Sequence, residues 1–124
     1  MKSYTDIEQS KKLAEILPLE SADMEYMFLK KDGSKVSNVP FVKDGFEEPE
    51  CCYIFIPCWS LAALLDVLPD EVGDNHYLTL DKEGKEYCCC YEDINGNSFK
   101  HTFANNPIDA CYEIILKLHE QKLI

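Results

Sequence analysis

Between residues 77 and 104 the chain reads YLTLD, then EYCCCYE, then SFKHTFA, and each joint carries a glycine: Lys82-Glu83-Gly84 in the first, Ile94-Asn95-Gly96-Asn97 in the second. Tight hairpins demand a positive φ that glycine reaches without a Cβ clash, so Asn-Gly between two strand-forming runs is a strong short-range turn signal. The expectation is a three-stranded antiparallel meander. A sheet needs a cover, and the next segment supplies one. Asn106 is placed to cap a helix, Pro107 occupies the first helical position where its missing N–H costs nothing, and Asp109 complements the positive helix end. Ile108, Cys111, Tyr112, Ile115, Leu118 and His119 define its broad apolar face; Asp109, Glu113 and Lys117 form the wet stripe, with Glu113 and Lys117 spaced as an i,i+4 pair.

The first half of the chain is less regular. Thr5 followed by Glu8 makes a capping-box pattern for a helix over about residues 5–17, with Ile7, Leu13, Ala14 and Leu17 as its stripe and Pro18 as its stop. MEYMFLKK then reads as a strand, Asp32-Gly33 as a hairpin turn, and SKVSNV as the returning strand. Residues 40–50, PFVKDGFEEPE, read as an acidic loop. CCYIFIP is apolar on both strand faces and predicts a central strand covered on each side. Ser60 is placed to cap a helix of about nine residues ending at Pro69. The expected fold is α+β: an antiparallel sheet of four to six strands with N-terminal, middle and C-terminal helices packed on it, in a single domain spanning residues 1–124.

A chain of 124 residues buries roughly two-thirds of its accessible surface on folding, enough for one core without covalent staples. The seven cysteines fall at 51, 52, 58, 88, 89, 90 and 111. An odd count arranged as a doublet and a triplet is no disulfide framework, because neighbours on a strand point to opposite faces. Reduced thiols acting as small buried hydrophobes are the better reading, and with no signal peptide or spanning segment in the sequence the expected location is the cytoplasm.

Charge excludes one function class. Twenty-three acidic residues stand against twelve basic ones, all lysine, for a net charge of −11. Without arginine the bidentate fork for phosphates and bases is missing, and a net negative surface repels nucleic acid, so no direct nucleic-acid binding and no membrane association are expected. Imitating nucleic acid would require the carboxylates to cluster. The candidate clusters are Asp44, Glu47, Glu48 and Glu50, then Asp66, Asp70, Glu71 and Asp74; a solvated surface is the simpler reading.

Catalytic and metal signals are weak. Cys58 in Pro57-Cys58-Trp59-Ser60 sits where a strand turns into a helix, and a thiol at a helix N-terminus has a lowered pKa. Against a thiol enzyme using Cys58, none of His76, His101 and His119 has a recognisable spacing to it, and no second cysteine lies two residues on. Cys88 and Cys90 share a strand face that His101 could approach, but no C-x-x-C or H-x-x-x-H pair fixes a metal. Phe99, His101 and Phe103 share parity, which places His101 beside a core. Neither a nucleotide loop nor a carboxylate pair is present, so no catalytic residue, metal or cofactor is expected.

From Leu61 to Leu68 only Asp66 is polar, so the middle helix is covered either within the monomer, the simpler solution, or by a partner. In the second case Trp59, Leu61, Leu64 and Leu65 form the contact region, with the indole as anchor.

Three stretches, YTDIEQSKKLAEILPLESADM (4–24), PCWSLAALLDVLP (57–69) and NPIDACYEIILKLHEQKLI (106–124), together resemble a family of small uncharacterised proteins of gut anaerobic bacteria and their phages and mobile elements. The likeness covers a little under half of the chain and brings no catalytic residues with it. It implies an intracellular accessory protein of phage or mobile-element origin. The combined expectation is a non-enzymatic protein that binds a protein partner or forms a homo-oligomer through the Trp59 region; a small thiol enzyme built on Cys58 and an acidic nucleic-acid mimic are the alternatives.

Overall fold

The meander forms as its turn chemistry dictates. Strands β5 (His76–Glu83), β6 (Glu86–Glu92) and β7 (Ser98–Ala104) pair antiparallel in chain order, and the short β4 (Glu71–Val72) adds beside β5, giving the order β4-β5-β6-β7. Gly84 and Gly96 take φ of 63° and 81° at the two turns, a region that side chains with a Cβ avoid. Asp93 fastens the second turn: its Oδ1 accepts the N–H groups of Asn95 and Asn97, each at 2.9 Å. The pairing slips by one residue between Tyr91 and Glu92, so Tyr91 faces Lys100 and Glu92 faces Ser98.

The computed structural model describes residues 1–43 and 52–124, and these form two compact units: residues 4–63, and residues 64–124 together with 1–3. The expected α+β class holds: the described residues form three α-helices and two antiparallel sheets of four and three strands.

In the C-terminal unit, helix α3 (Pro107–Glu120) packs on β6 and β7. Asn106 caps it as expected, its Oδ1 accepting the Asp109 N–H at 2.8 Å. The buried arc differs from the expected stripe. Ile108, Cys111, Ile115 and Leu118 are inside, but so are Ala110 and Ile114, whereas Tyr112 is half-buried and His119 exposed. At about 100° per residue the arc is centred on Cys111 and Leu118 and sweeps toward Ala110, which leaves Tyr112 and His119 on the opposite rim. Lys117 extends to the His101 carbonyl oxygen on β7 at 3.0 Å rather than to Glu113, and Lys2 pairs with Asp109 at 2.8 Å.

In the N-terminal unit, α1 (Ile7–Ala14) starts one residue later than the capping pattern suggested. Asp6 is the N-cap and Gln9 its reciprocal partner. Thr5, freed from capping, is wholly buried. Strand β1 (Met24–Leu29) is central, flanked by β2 (Phe41–Val42) and β3 (Tyr53–Cys58). Two expectations are corrected here. SKVSNV contributes only an isolated bridge between Lys35 and Phe28, and the pairing on that side of β1 comes from Phe41–Val42. Among the described residues β3 is an edge strand, not a central one. Its Cys52 neighbour accepts the Lys30 N–H, which by alternation turns the backbone of Tyr53, Phe55 and Pro57 to the open side. Pro57 therefore stands where a missing N–H breaks no ladder bond. The seven-residue α2 (Leu61–Val67) then carries the chain into the C-terminal unit, with Ser60 Oγ accepting the Ala63 N–H at 3.2 Å. Among the described residues no helix is long and apolar enough to cross a membrane.

Candidate functional site

Cys58 ends β3 and points into the protein. Its thiol is wholly buried, donates to the Thr5 carbonyl oxygen at 3.4 Å, and lies 3.6 Å from Thr5 Oγ1. Thr5 is the hub of this corner. Its hydroxyl is 2.8 Å from Ser10 Oγ and accepts the Trp59 N–H at 3.1 Å; its carbonyl oxygen also takes the Tyr26 hydroxyl at 2.7 Å, and its N–H donates to the Trp59 carbonyl at 3.0 Å. Burial pushes the Cys58 thiol above its ordinary range despite hydrogen bonds from Thr5, Ser10 and Tyr26 that act the other way. No histidine is among its partners. A nucleophilic thiol needs thiolate character and an approach route; this one has a raised pKa and no exposed surface. The hydroxyl that organises it is the residue first read as a helix cap.

The remaining residues of the expected contact region sit as follows. Trp59 is wholly buried, and its indole N–H donates to Ser21 Oγ at 3.0 Å. Leu64 is also wholly buried, Leu61 and Leu65 are half-buried, and the exposed positions of α2 are Ala62 and Asp66. These side chains do not join into an open apolar surface. Of the acidic candidates, Asp66, Asp70, Glu71 and Asp74 are exposed, while Asp44, Glu47, Glu48 and Glu50 lie outside the described residues, as does Cys51.

The four-stranded sheet has two unlike faces. One carries Cys89, Tyr91 and Thr102 beneath α3, with Thr102 Oγ1 donating to the Ala110 carbonyl at 2.7 Å and all three side chains buried. Cys89 hydrogen-bonds to Cys111, and that bond together with burial holds its thiol far above the usual range. On the other face Tyr77 lies opposite Glu92, Cys90 lies between Thr79 and His101, and Cys88 lies between Asp81 and Phe103. Tyr77 and Phe103 are each 50% exposed and Phe99 41%. His101 is likewise exposed, so His101 and Phe103 mark an open surface rather than the core expected from the sequence. Phe99 does not join them, because the slip in pairing breaks the parity and its ring lies 5.4 Å from that of His76, beside Lys117 of α3 and Gln121. Alternation alone says that one face differs from the other; it does not say which face α3 will choose.

Cys88 and Cys90 lie on the middle strand of this face, 7% and 1% exposed. Cys90 Sγ lies 3.0 Å from Thr79 Oγ1 and donates to Glu92 Oε1 at 3.4 Å, and burial pushes this thiol up to about 12. Burial also raises Cys88, and the negative charges of Glu83, Asp81 and Glu92 add to the effect. Cys88, Cys90 and His101 do not converge: among the described residues no three histidine, cysteine or carboxylate side chains are placed to hold a metal ion.

Comparison with models of protein families, with curated proteins and with solved structures gives no match to this chain.

Proposed function

We propose that this chain is a non-enzymatic interaction protein, an accessory module that works by presenting sheet surfaces to a protein partner. The observation that supports this reading most directly is the placement of large apolar side chains on open sheet surfaces while the corner residues are used internally. In the C-terminal unit these are Tyr77 and Phe103, each 50% exposed; in the N-terminal unit Val42 on β2 and Ile54 on β3 are 68% and 46% exposed, and Val39, in the bend before β2, 54%. Scattered exposed apolar residues are ordinary, but rings gathered on one sheet face are the pattern that marks a contact surface. The contact region moves accordingly from Trp59 to the sheets. The thiols support the same reading. Among the described cysteines, Cys58, Cys88, Cys89, Cys90 and Cys111 are buried, so they fill space as small hydrophobes do.

The test is affinity capture from the native cell with the wild-type chain and two surface variants, Tyr77→Ser/Phe103→Ser and Val39→Ser/Val42→Ser/Ile54→Ser. The reading expects a stoichiometric partner, or self-association by light scattering, that one variant loses while keeping the wild-type melting temperature. A strictly monomeric chain with no stoichiometric partner, or a partner indifferent to both variants, would overturn it.

A further inference from the structure

Resting on that interaction reading, we infer that the open face of the four-stranded sheet binds a lysine- or arginine-bearing amphipathic segment of a protein partner. The argument starts from register. The pairs Glu71–Tyr77, Tyr77–Glu92, Asp81–Cys88 and Glu83–Glu86 put five carboxylates on the face that carries Tyr77, Phe103 and His101. Strand lysines fall on the other parity: Lys82 is opposite Tyr87 and Lys100 opposite Tyr91. The face thus combines half-exposed aromatic rings with negative charge and holds no strand lysine of its own.

Both halves of that combination select the same partner. An exposed ring attracts a cation to its π face, most of all where a carboxylate stands beside it, and the apolar ring area left open rewards burial by aliphatic side chains. This chain already uses the first device with its own residues, since Lys100 Nζ sits 5.5 Å from the Phe99 ring centre and Lys82 Nζ 5.6 Å from that of Tyr87. Tyr77 instead stands between Glu71 and Glu92, and Phe103 lies beside Cys88 and the His101 ring. A second copy of the chain is a poor occupant, because its equivalent face would bring five more carboxylates against these, and like charges meeting across an interface repel. The middle of the face is also fixed: Cys88, Cys90 and Thr79 are small side chains set between the larger ones, and the Cys90 thiol is engaged by Thr79 and Glu92. An acidic face with aromatic margins suits an extended or helical segment laid across the strands rather than a small molecule.

The experiment is a titration of the isotope-labelled full chain with a short synthetic amphipathic peptide of leucine and lysine, followed by amide chemical shifts. A leucine–glutamate peptide of the same pattern and an all-lysine peptide serve as controls. The expected result is saturable binding of the leucine–lysine peptide, with shifts confined to β5, β6 and β7 around Tyr77, Thr79, Cys90, His101 and Phe103, and affinity falling roughly tenfold as salt shortens the reach of the carboxylates. Tyr77→Ser/Phe103→Ser should abolish binding, and Asp81→Asn/Glu83→Gln should weaken it and flatten its salt dependence; an unchanged melting temperature for each variant ties the loss to the surface. The inference is overturned by an absence of binding, by shifts that map elsewhere, by equal binding of the leucine–glutamate peptide, or by equal binding of the all-lysine peptide, which would make the face a bare charge mimic. If the peptide fails while affinity capture still returns a partner that depends on exposed apolar residues, this face and this partner chemistry fall and the broader interaction reading stands.

Discussion

The corner around Thr5, Cys58 and Trp59 and the open face around Tyr77, Cys90 and Phe103 are made of the same materials, a thiol, a threonine hydroxyl and aromatic rings, and put them to opposite uses. At the corner every polar atom is answered from within. The Trp59 indole reaches Ser21, the Tyr26 hydroxyl and the Cys58 thiol reach the Thr5 carbonyl, and the Thr5 hydroxyl receives the Trp59 backbone N–H. On the open face the thiol and hydroxyl pair with each other, but the rings of the neighbouring rows, Tyr77 and Phe103, remain half in water. The difference lies in cover. Two strands and α1 enclose Cys58 and Thr5, whereas α3 covers one side of its sheet only. An aromatic residue in this chain is therefore enclosed or exposed according to what the topology lays over it, and residue type does not decide.

The sharpest way to break this contrast is to truncate the corner. Trp59→Ala should cost about 3–5 kcal/mol in urea unfolding, as expected for removing a large enclosed side chain, and Trp59→Asp should prevent folding; a Trp59→Asp protein of wild-type stability would show the indole to be a surface group after all. Next in size is Thr5→Val, which leaves the buried Trp59 N–H without its acceptor and should cost about 1–3 kcal/mol. Capping sharpens the comparison further. Asp6→Ala should lose about 1 kcal/mol, whereas Glu8→Ala, the residue favoured by the simple sequence pattern, should change stability little.

Titration separates the regions as well. Burial raises Cys58, Cys88, Cys90, Tyr26 and Tyr91 above their unfolded values, and a hydrogen bond to Cys111 and burial do so for Cys89. A group whose folded pKa is raised adds stability that is complete below its unfolded pKa and lost as pH climbs toward the folded one. The urea midpoint should therefore hold to about pH 8 and fall between about pH 9 and 11; a flat profile across that window would contradict the enclosure of these groups. Asp93 has the opposite sign. Hydrogen bonds from Asn97 and Asn95 lower its pKa, so the order it gives the β6–β7 turn is present at neutral pH and lost as pH falls below about 4, visible as faster amide exchange at Asn95 and Asn97. The smallest effect is on stability at the open face: Tyr77→Ser should shift it by no more than about 0.5 kcal/mol, and thiol alkylation at neutral pH should reach the exposed Cys52 long before the enclosed Cys58 or Cys90.

Much of the fold was legible where the signal is local. Glycines at the turns, Asn106 and Pro107 at the start of α3, and the strand runs from 77 to 104 each follow from backbone sterics or capping chemistry acting over a few residues. Reading failed where two local solutions compete. Thr5 and Asp6 are both good N-caps, and Asp6 wins because the Thr5 hydroxyl is drawn into the buried corner. SKVSNV has strand-like residues, yet the partner of β1 on that side comes from Phe41–Val42. CCYIFIP looks central because it is apolar on both faces, yet Pro57 is consistent with an edge, and the described pairing places β3 there.

By itself the sequence determined the class of the chain: antiparallel strands joined by glycine turns, helices at both ends and in the middle, thiols in an arrangement unlike a disulfide framework, and a strongly acidic composition without arginine. Those properties depend on nearest neighbours and on totals. Only the tertiary structure decided that Cys58 and Trp59 face inward, that β3 lies at an edge, and that Tyr77, His101 and Phe103 face water. Alternation fixes which side chains share a face, but which face is covered is set by the energy of packing a distant helix, and that term has no local signature.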